Sequence, residues 1–189
     1  MATNTYSKSA KPQMEVATFA GGCFWCTEAI FLSFEGVESV VSGYIGGRTL
    51  NPTYSEICTG ETGHAEAVQI SFNSNKIAFS DLLHVFFATH DPTTLNRQGN
   101  DLGTQYRSEV FYHTDYQRQF AEDYINLLTV AKTFAQPIVT KISEATQFYK
   151  AEDYHQNYYN LNKSVGYCSY VITPKMKKLQ ELFSSKLKK

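Results

Sequence analysis

Apolar positions along this chain keep two rhythms, every second residue or every third and fourth, and the changes between them mark out its elements. Met14 to Ala20 reads as a short strand, and Gly21-Gly22 permits a tight turn behind it. From Phe24 the positions Phe24, Ile30, Phe31 and Phe34 follow helical spacing as far as Gly36, a C-terminal cap. Val37 to Ile45 reads as a strand ending at Gly46-Gly47, and Asn51-Pro52-Thr53 as a turn and cap for a short helix through Cys58, closed by Gly60. His64 to Phe72 alternates, with His64, Glu66, Val68, Ile70 and Phe72 on one face. A helix from Ser80 to His90 is stopped by Asp91-Pro92. A polar loop over 93–104 leads to a strand from Gln105 to His113. A long helix then runs from the Thr114 cap to Phe134, and Pro137 to Ser143 reads as one more strand.

Residues 147–164, rich in Tyr, Asn, His and Gln, follow no period and read as an ordered surface loop. Tyr167 to Thr173 is strand-like, and Thr173-Pro174 opens a last helix with proline in its first turn. The expected fold class is α/β (α+β): one two-layer domain over 14–189, a mixed sheet flanked by helices with an extended C-terminal segment. Residues 1–13 read as a disordered arm. With 189 residues and 42% apolar content the chain can bury one core. Its net charge of −1 gives no general case for nucleic acid or a membrane surface. No apolar run approaches the roughly 20 residues needed to span a bilayer, and the N-terminus has no secretory pattern. Four cysteines are too few for a disulfide scaffold, so reduced thiols in a cytoplasmic protein are expected, without a metal site.

Cys23 stands at the junction of strand and helix, where free backbone N–H groups and the helix dipole favour a thiolate. It is the candidate nucleophile, and the diglycine turn and Cys26 three residues on argue against a merely structural thiol. Glu66 lies in line with an apolar stripe. It is either a desolvated carboxylic acid able to donate a proton near neutral pH or a carboxylate solvated at an open strand end. Phe24 and Trp25 are either core or the wall of a small apolar pocket. Adjacent helical positions diverge by about 100°, so burial of both against the same neighbour is not expected. Tyr54, Asp101 and Tyr106 lie near loops, where binding groups concentrate. His64, His90 and His155 leave a Cys–His hydrolase open without choosing a base, and His84 reads as packed or surface. Met176, Leu179, Leu182, Phe183 and Leu187 share one face of the last helix among basic residues, which suits docking on the body better than a membrane anchor.

Several ordered blocks resemble one family, the A-type peptide methionine sulfoxide reductases. They are Gly21-Gly22-Cys23-Phe24-Trp25, Asn51-Pro52-Thr53-Tyr54, the run from Cys58 to Glu66, the run from Gln98 to Ser108, the run from Tyr149 to Gln156, and Gly166-Tyr167-Cys168. The resemblance implies reduction of methionine S-sulfoxide, free or in proteins, to methionine, as a repair of oxidative damage. It implies Cys23 as nucleophile and Glu66 as proton donor, with Tyr54 and Tyr106 on the sulfoxide oxygen. Asp101 would hold the backbone or amine side, and Phe24 and Trp25 the methyl group. Cys23 would be left as a sulfenic acid and pass into a disulfide that thioredoxin reduces, with no bound cofactor.

Many members of the family carry glycine at the place of Cys26 and a cysteine in a glycine-rich tail, which this chain lacks. By position Cys168 is the expected resolving cysteine. Cys26 is the alternative or a relay, and Cys58, within its helix, reads as structural. The expected partners are oxidised proteins, peptides or free methionine sulfoxide, and thioredoxin, the enzyme itself being a monomer. Two other readings remain: a thiol–disulfide oxidoreductase using Cys23 and Cys26, which leaves Glu66, Asp101 and Tyr106 idle, and a module that binds oxidised methionine without turnover.

Overall fold

The computed structural model describes residues 13–188, so the expected arm lies almost wholly outside the described residues. In chain order the elements are β1 (Met14–Gly21), α1 (Phe24–Leu32), β2 (Val37–Ile45), α2 (Tyr54–Cys58), β3 (Ala65–Asn73) and α3 (Phe79–Thr89). The hairpin β4 (Arg97–Gln98) and β5 (Asp101–Leu102) precedes β6 (Ser108–Tyr112), α4 (Asp115–Val130), β7 (Lys141–Glu144) and β8 (Tyr149–Lys150). The short α5 (Tyr158–Leu161) and α6 (Thr173–Phe183) complete the order. Among the described residues six strands form one sheet in the order β7-β6-β1-β3-β2-β8. All its pairings are antiparallel except β6 with β7, so the sheet is mixed.

Strand alternation divides the side chains between two faces. Phe19, Val68, Ile70, Phe72, Val40 and Val110 belong to the main core, packed with α1 and α3. Ala20, Ile45, Ala65, Ala67 and Phe111 form a smaller cluster of their own. Phe19 lies between Phe31 of α1 and Phe86 of α3, at 5.5 and 4.9 Å between ring centroids. It is wholly buried. Phe19→Ala is expected to cost about 3–5 kcal/mol in unfolding free energy, measured by urea denaturation.

The turn between β1 and α1 depends on glycine. Gly22 has φ +93°, and a Cβ there would meet Cβ of Gln98 at 2.6 Å. The backbone is thereby driven close to β4, and Cys23 is delivered to the start of α1. Of the nine residues in α1, seven are buried: Phe24, Cys26, Thr27, Glu28, Ala29, Ile30 and Phe31. The helix closes at Ser33, before the predicted Gly36, whose positive φ turns the chain into β2.

The main departure from the sequence pattern lies between Tyr167 and Thr173, where a strand is expected and the chain is helical. Cys168 to Ile172 forms a wide π-type turn running directly into α6. Helical spacing puts Cys168 and Ile172 on one side, both wholly buried against Cys26 and Ala29, and leaves Tyr170 85% exposed. Strand alternation would have put Cys168, Tyr170 and Ile172 on one face, so this packing selects the helix. Pro174 has no N–H to extend the turn, and the Thr173 hydroxyl donates to the Cys168 carbonyl at 3.0 Å. Residues 147–164 are partly ordered into β8, a 3₁₀ turn over Asp153–His155, and α5. On α6, Leu179 is buried and Met176 and Phe183 pack on the core, while Leu182, expected with them, is 56% exposed. Leu187, also expected on the helix, lies beyond its end and packs on the core from an extended residue bridged to Phe34.

Candidate active site

Three elements meet at Cys23: the N-terminus of α1, the hairpin β4–β5, and the helical segment after Tyr167. Cys23 caps α1, and the N–H of Phe24 donates to Oε2 of Glu66 at 3.1 Å. The carboxyl thus sits beneath the backbone that follows the candidate nucleophile. Glu66 is 2% exposed. Burial pushes it up to about 8, against the Phe24 hydrogen bond, and the negative charge of Asp101 pushes the same way. Of the two readings the strand pattern left open, the structure selects the desolvated acid. β3 carries Glu66 on the inward face with Val68, Ile70 and Phe72, opposite Tyr44 of β2. Tyr54 and Tyr106 both feel the Glu66 charge, and burial holds both hydroxyls well above their ordinary range, as neutral donors.

Cys23 and Cys26 are hydrogen-bonded to each other. The bond from Cys23 brings Cys26 down to about 7 against its burial, helped by the positive charge of Lys175. Cys23, as donor, is raised well above an ordinary thiol by that bond, by burial and by the charge of Glu66. The two thiols therefore titrate as a pair, with Cys26 the more acidic member. Sequence position alone assigns the thiolate to Cys23. Position also places Cys26 three residues on; its effect on the Cys23 thiol is what the structure adds.

A cavity of about 450 Å³ opens beside this pair, lined by Cys23, Cys26, Asp101, Tyr167, Val171 and Lys175 among others. A larger hollow of about 660 Å³, beside Arg48, Arg107 and Glu109, contains none of the candidate residues. The Tyr167 hydroxyl donates to Oδ2 of Asp101 at 3.1 Å and lies 3.9 Å from Sγ of Cys26. Cys168, next to it, is buried in the cluster of Cys26, Ala29 and Ile172 and feels the charge of Cys26. Cys58, expected within its helix as a structural thiol, is the last residue of α2 and is exposed, with its thiol against the Tyr54 hydroxyl.

Phe24 and Trp25 share a neighbour after all. Their rings lie 5.1 and 5.6 Å from His155, because the segment after β8 folds over the end of α1 and places a ring between the two directions. Nε1 of Trp25 donates to Nδ1 of His155 at 3.1 Å, and the indole stacks on Tyr158 at 3.8 Å. The sequence marked this segment by resemblance, in the run from Tyr149 to Gln156, and otherwise read it as a surface loop without these contacts. The N–H groups of Asn157 and Tyr158 donate to the buried carboxyl of Glu28, and Glu152 accepts from the Tyr44 hydroxyl and the Tyr54 N–H. The signal that something must cover this end of α1 was Glu28, a single charge in the apolar helix FWCTEAIFL. Glu28→Ala is expected to loosen the Trp25–Tyr158 stack and lower the Tm by several degrees in a thermal melt, through two unpaired buried N–H groups.

The remaining histidines are tied elsewhere. His64 accepts from the Gly47 N–H and bonds the Thr49 carbonyl, and His90 bonds the Phe86 carbonyl and the Ser108 hydroxyl. With His155 engaged by Trp25, none of the three is placed as base for Cys23, against the hydrolase reading. His84 is exposed, at the edge of Phe183. Among the described residues no helix is long and apolar enough to cross a membrane, and no three metal-ligating side chains cluster.

Residues 15–187 match the family described as peptide methionine sulfoxide reductase. The peptide methionine sulfoxide reductase MsrA of Deinococcus radiodurans is 53% identical over 190 residues, spanning all of this chain and 92% of that protein. Reduced Mxr1 of Saccharomyces cerevisiae superposes with a TM-score of 0.75 at 33% identity, over 85% of this chain and 94% of its own. Mxr1 solved in complex with Trx2 matches at 0.54 and 25% identity, over 80% and 91%. Fold and site together define an oxidoreductase. The chain belongs to the peptide methionine sulfoxide reductase family, as a member of its A type.

Proposed function

We propose that this reductase acts through a sulfenic acid on Cys23, with Glu66 as general acid and Cys26 and Cys168 as successive resolving thiols. The observation that carries the reading is the buried Glu66, hydrogen-bonded to the residue after Cys23 and neutral below about pH 8. A proton passing along the Cys23–Cys26 hydrogen bond leaves Cys23 as the thiolate. Its sulfur attacks the sulfoxide sulfur while Glu66 gives its proton to the oxygen, which Tyr54 and Tyr106 hold. The sulfur–sulfur bond made in the attack then breaks together with the methionine sulfur–oxygen bond as the oxygen passes to the Cys23 sulfur. Methionine gains two electrons, Cys23 loses two, and the products are methionine and Cys23 sulfenic acid. Phe24 and Trp25 pack on the methyl group, and Asp101 holds the amine side.

Cys26 then attacks the Cys23 sulfur, a disulfide forms, and the hydroxyl leaves as water. Cys168, packed on Cys26, attacks Cys26 in turn, so that Cys23 is released and a Cys26–Cys168 disulfide remains for an external dithiol. Thioredoxin is the reductant assigned here, on the likeness to the Mxr1–Trx2 complex.

The test is a single turnover without reductant, followed by mass spectrometry with cysteine mapping. One equivalent of a methionine S-sulfoxide peptide is expected to yield about one equivalent of methionine and one disulfide among Cys23, Cys26 and Cys168. Cys23→Ser yields no methionine. Turnover by that variant would overturn the assignment of the nucleophile.

A further inference from the structure

Lys175 lies beyond the last block by which the sequence resembles its family, in the first turn of α6. It lines the cavity beside Cys23 and Cys26 and is half-buried, whereas Lys177 and Lys178 on the same helix are exposed. Among the described residues no carboxylate lies within ion-pair distance of its ammonium group. Its charge reaches Cys26, and so does the opposite charge of Asp101, which lines the same cavity. The Tyr167 hydroxyl occupies only Oδ2 of Asp101. One cation and one anion thus flank the thiol pair in a single hollow, and the cation has no partner of its own.

We propose that Lys175 and Asp101 form a zwitterion subsite. Lys175 takes the α-carboxylate and Asp101 the α-ammonium of free methionine sulfoxide, which makes Lys175 a specificity-determining residue for the free amino acid over an internal peptide residue. The proposal rests on the reductase reading and names a substrate class within it. Two methylenes separate the reacting sulfur from Cα, so groups on Cα of a substrate at Cys23 fall in the same cavity. An internal residue carries amides at both places and gains nothing from either charge. A charge-assisted hydrogen bond from a half-exposed lysine favours the free carboxylate by roughly five- to tenfold.

The test compares kcat/KM for L-methionine S-sulfoxide and for its N-acetyl N-methylamide, which has no charge, with dithiothreitol as reductant. In Lys175→Gln the ratio of the first to the second is expected to fall five- to tenfold, and Lys175→Arg is expected to restore most of it. N-acetylmethionine S-sulfoxide, with only the carboxylate, follows the free amino acid. The N-methylamide with a free amine, which engages Asp101 but not Lys175, is as little affected by Lys175→Gln as the fully capped compound. An unchanged ratio in Lys175→Gln, even if both rates fall together, would overturn the proposal and leave Lys175 acting only on the thiols. If the wild type reduces neither compound, the reductase reading itself falls, whatever Lys175 does.

Discussion

Glu66→Gln is expected to lower kcat/KM by about 10²–10⁴ and to abolish the loss of activity that the wild type shows above about pH 8. The amide keeps the size of the side chain and can still donate a hydrogen bond, but it has no proton to transfer. In the wild type, ionisation of Glu66 removes the acid and also puts a negative charge beside Cys23, whose thiol that charge already raises. The thiol pair yields its first proton near 7 and Glu66 holds its own to about 8, so thiolate and acid coexist in a narrow band. The wild-type profile is therefore bell-shaped, and the variant keeps only the acid limb. A variant with full activity, or with an unmoved alkaline limb, would remove Glu66 from the reaction.

The same substitution has a consequence for stability. The folded protein retains a proton on Glu66 up to about pH 8, while the unfolded chain releases it near 4.3. Between those values the native state binds more protons, so stability falls as pH rises and levels off above 8. This group contributes roughly 4 kcal/mol to the loss between pH 5 and 8, with little screening because the carboxyl is buried. Urea denaturation of Glu66→Gln at the two pH values is expected to show that much less difference than the wild type.

Much of this site was legible because its residues are tied to local features that a sequence displays. Gly21-Gly22 before an apolar helix locates Cys23, and period-two alternation puts Glu66 on the same face as Val68 and Ile70. What escaped depends on contacts between distant segments. The partners of Glu28 come from residues 157 and 158, and those of Glu152 from β2 and α2. None of these leaves a local period. The helical turn at Cys168–Ile172 escaped for a related reason. Its β-branched residues favour a strand locally, and only the packing of Cys168 and Ile172 on α1 decides otherwise.

The cysteines give the second large effect. Cys26→Ser and Cys168→Ser are each expected to form about one equivalent of methionine in a single turnover, because Cys23 alone carries the oxygen away. Both are expected to lose at least about 10²-fold in steady-state turnover with thioredoxin, but to stall in different states. Cys168→Ser accumulates a Cys23–Cys26 disulfide, whereas Cys26→Ser accumulates sulfenic acid on Cys23, which a dimedone adduct reports. The reason is reach. Residues three apart at a helix start have Cβ atoms about 5–6 Å apart, and a disulfide asks for about 3.5–4.5 Å, so a small shift of the first turn closes Cys23 onto Cys26. Cys168 is wholly buried against Cys26 in a helical turn, and burial holds its thiol above the ordinary range. Cys23 packs only at the margin of that cluster, whereas Cys26 and Cys168 are both among its buried members, so the relay through Cys26 follows the packing. A Cys23–Cys168 disulfide in Cys26→Ser, formed as fast as the wild-type disulfide, would replace the relay with a direct route. Undiminished turnover by Cys168→Ser would remove Cys168 from the route and leave Cys26 as the only resolving thiol.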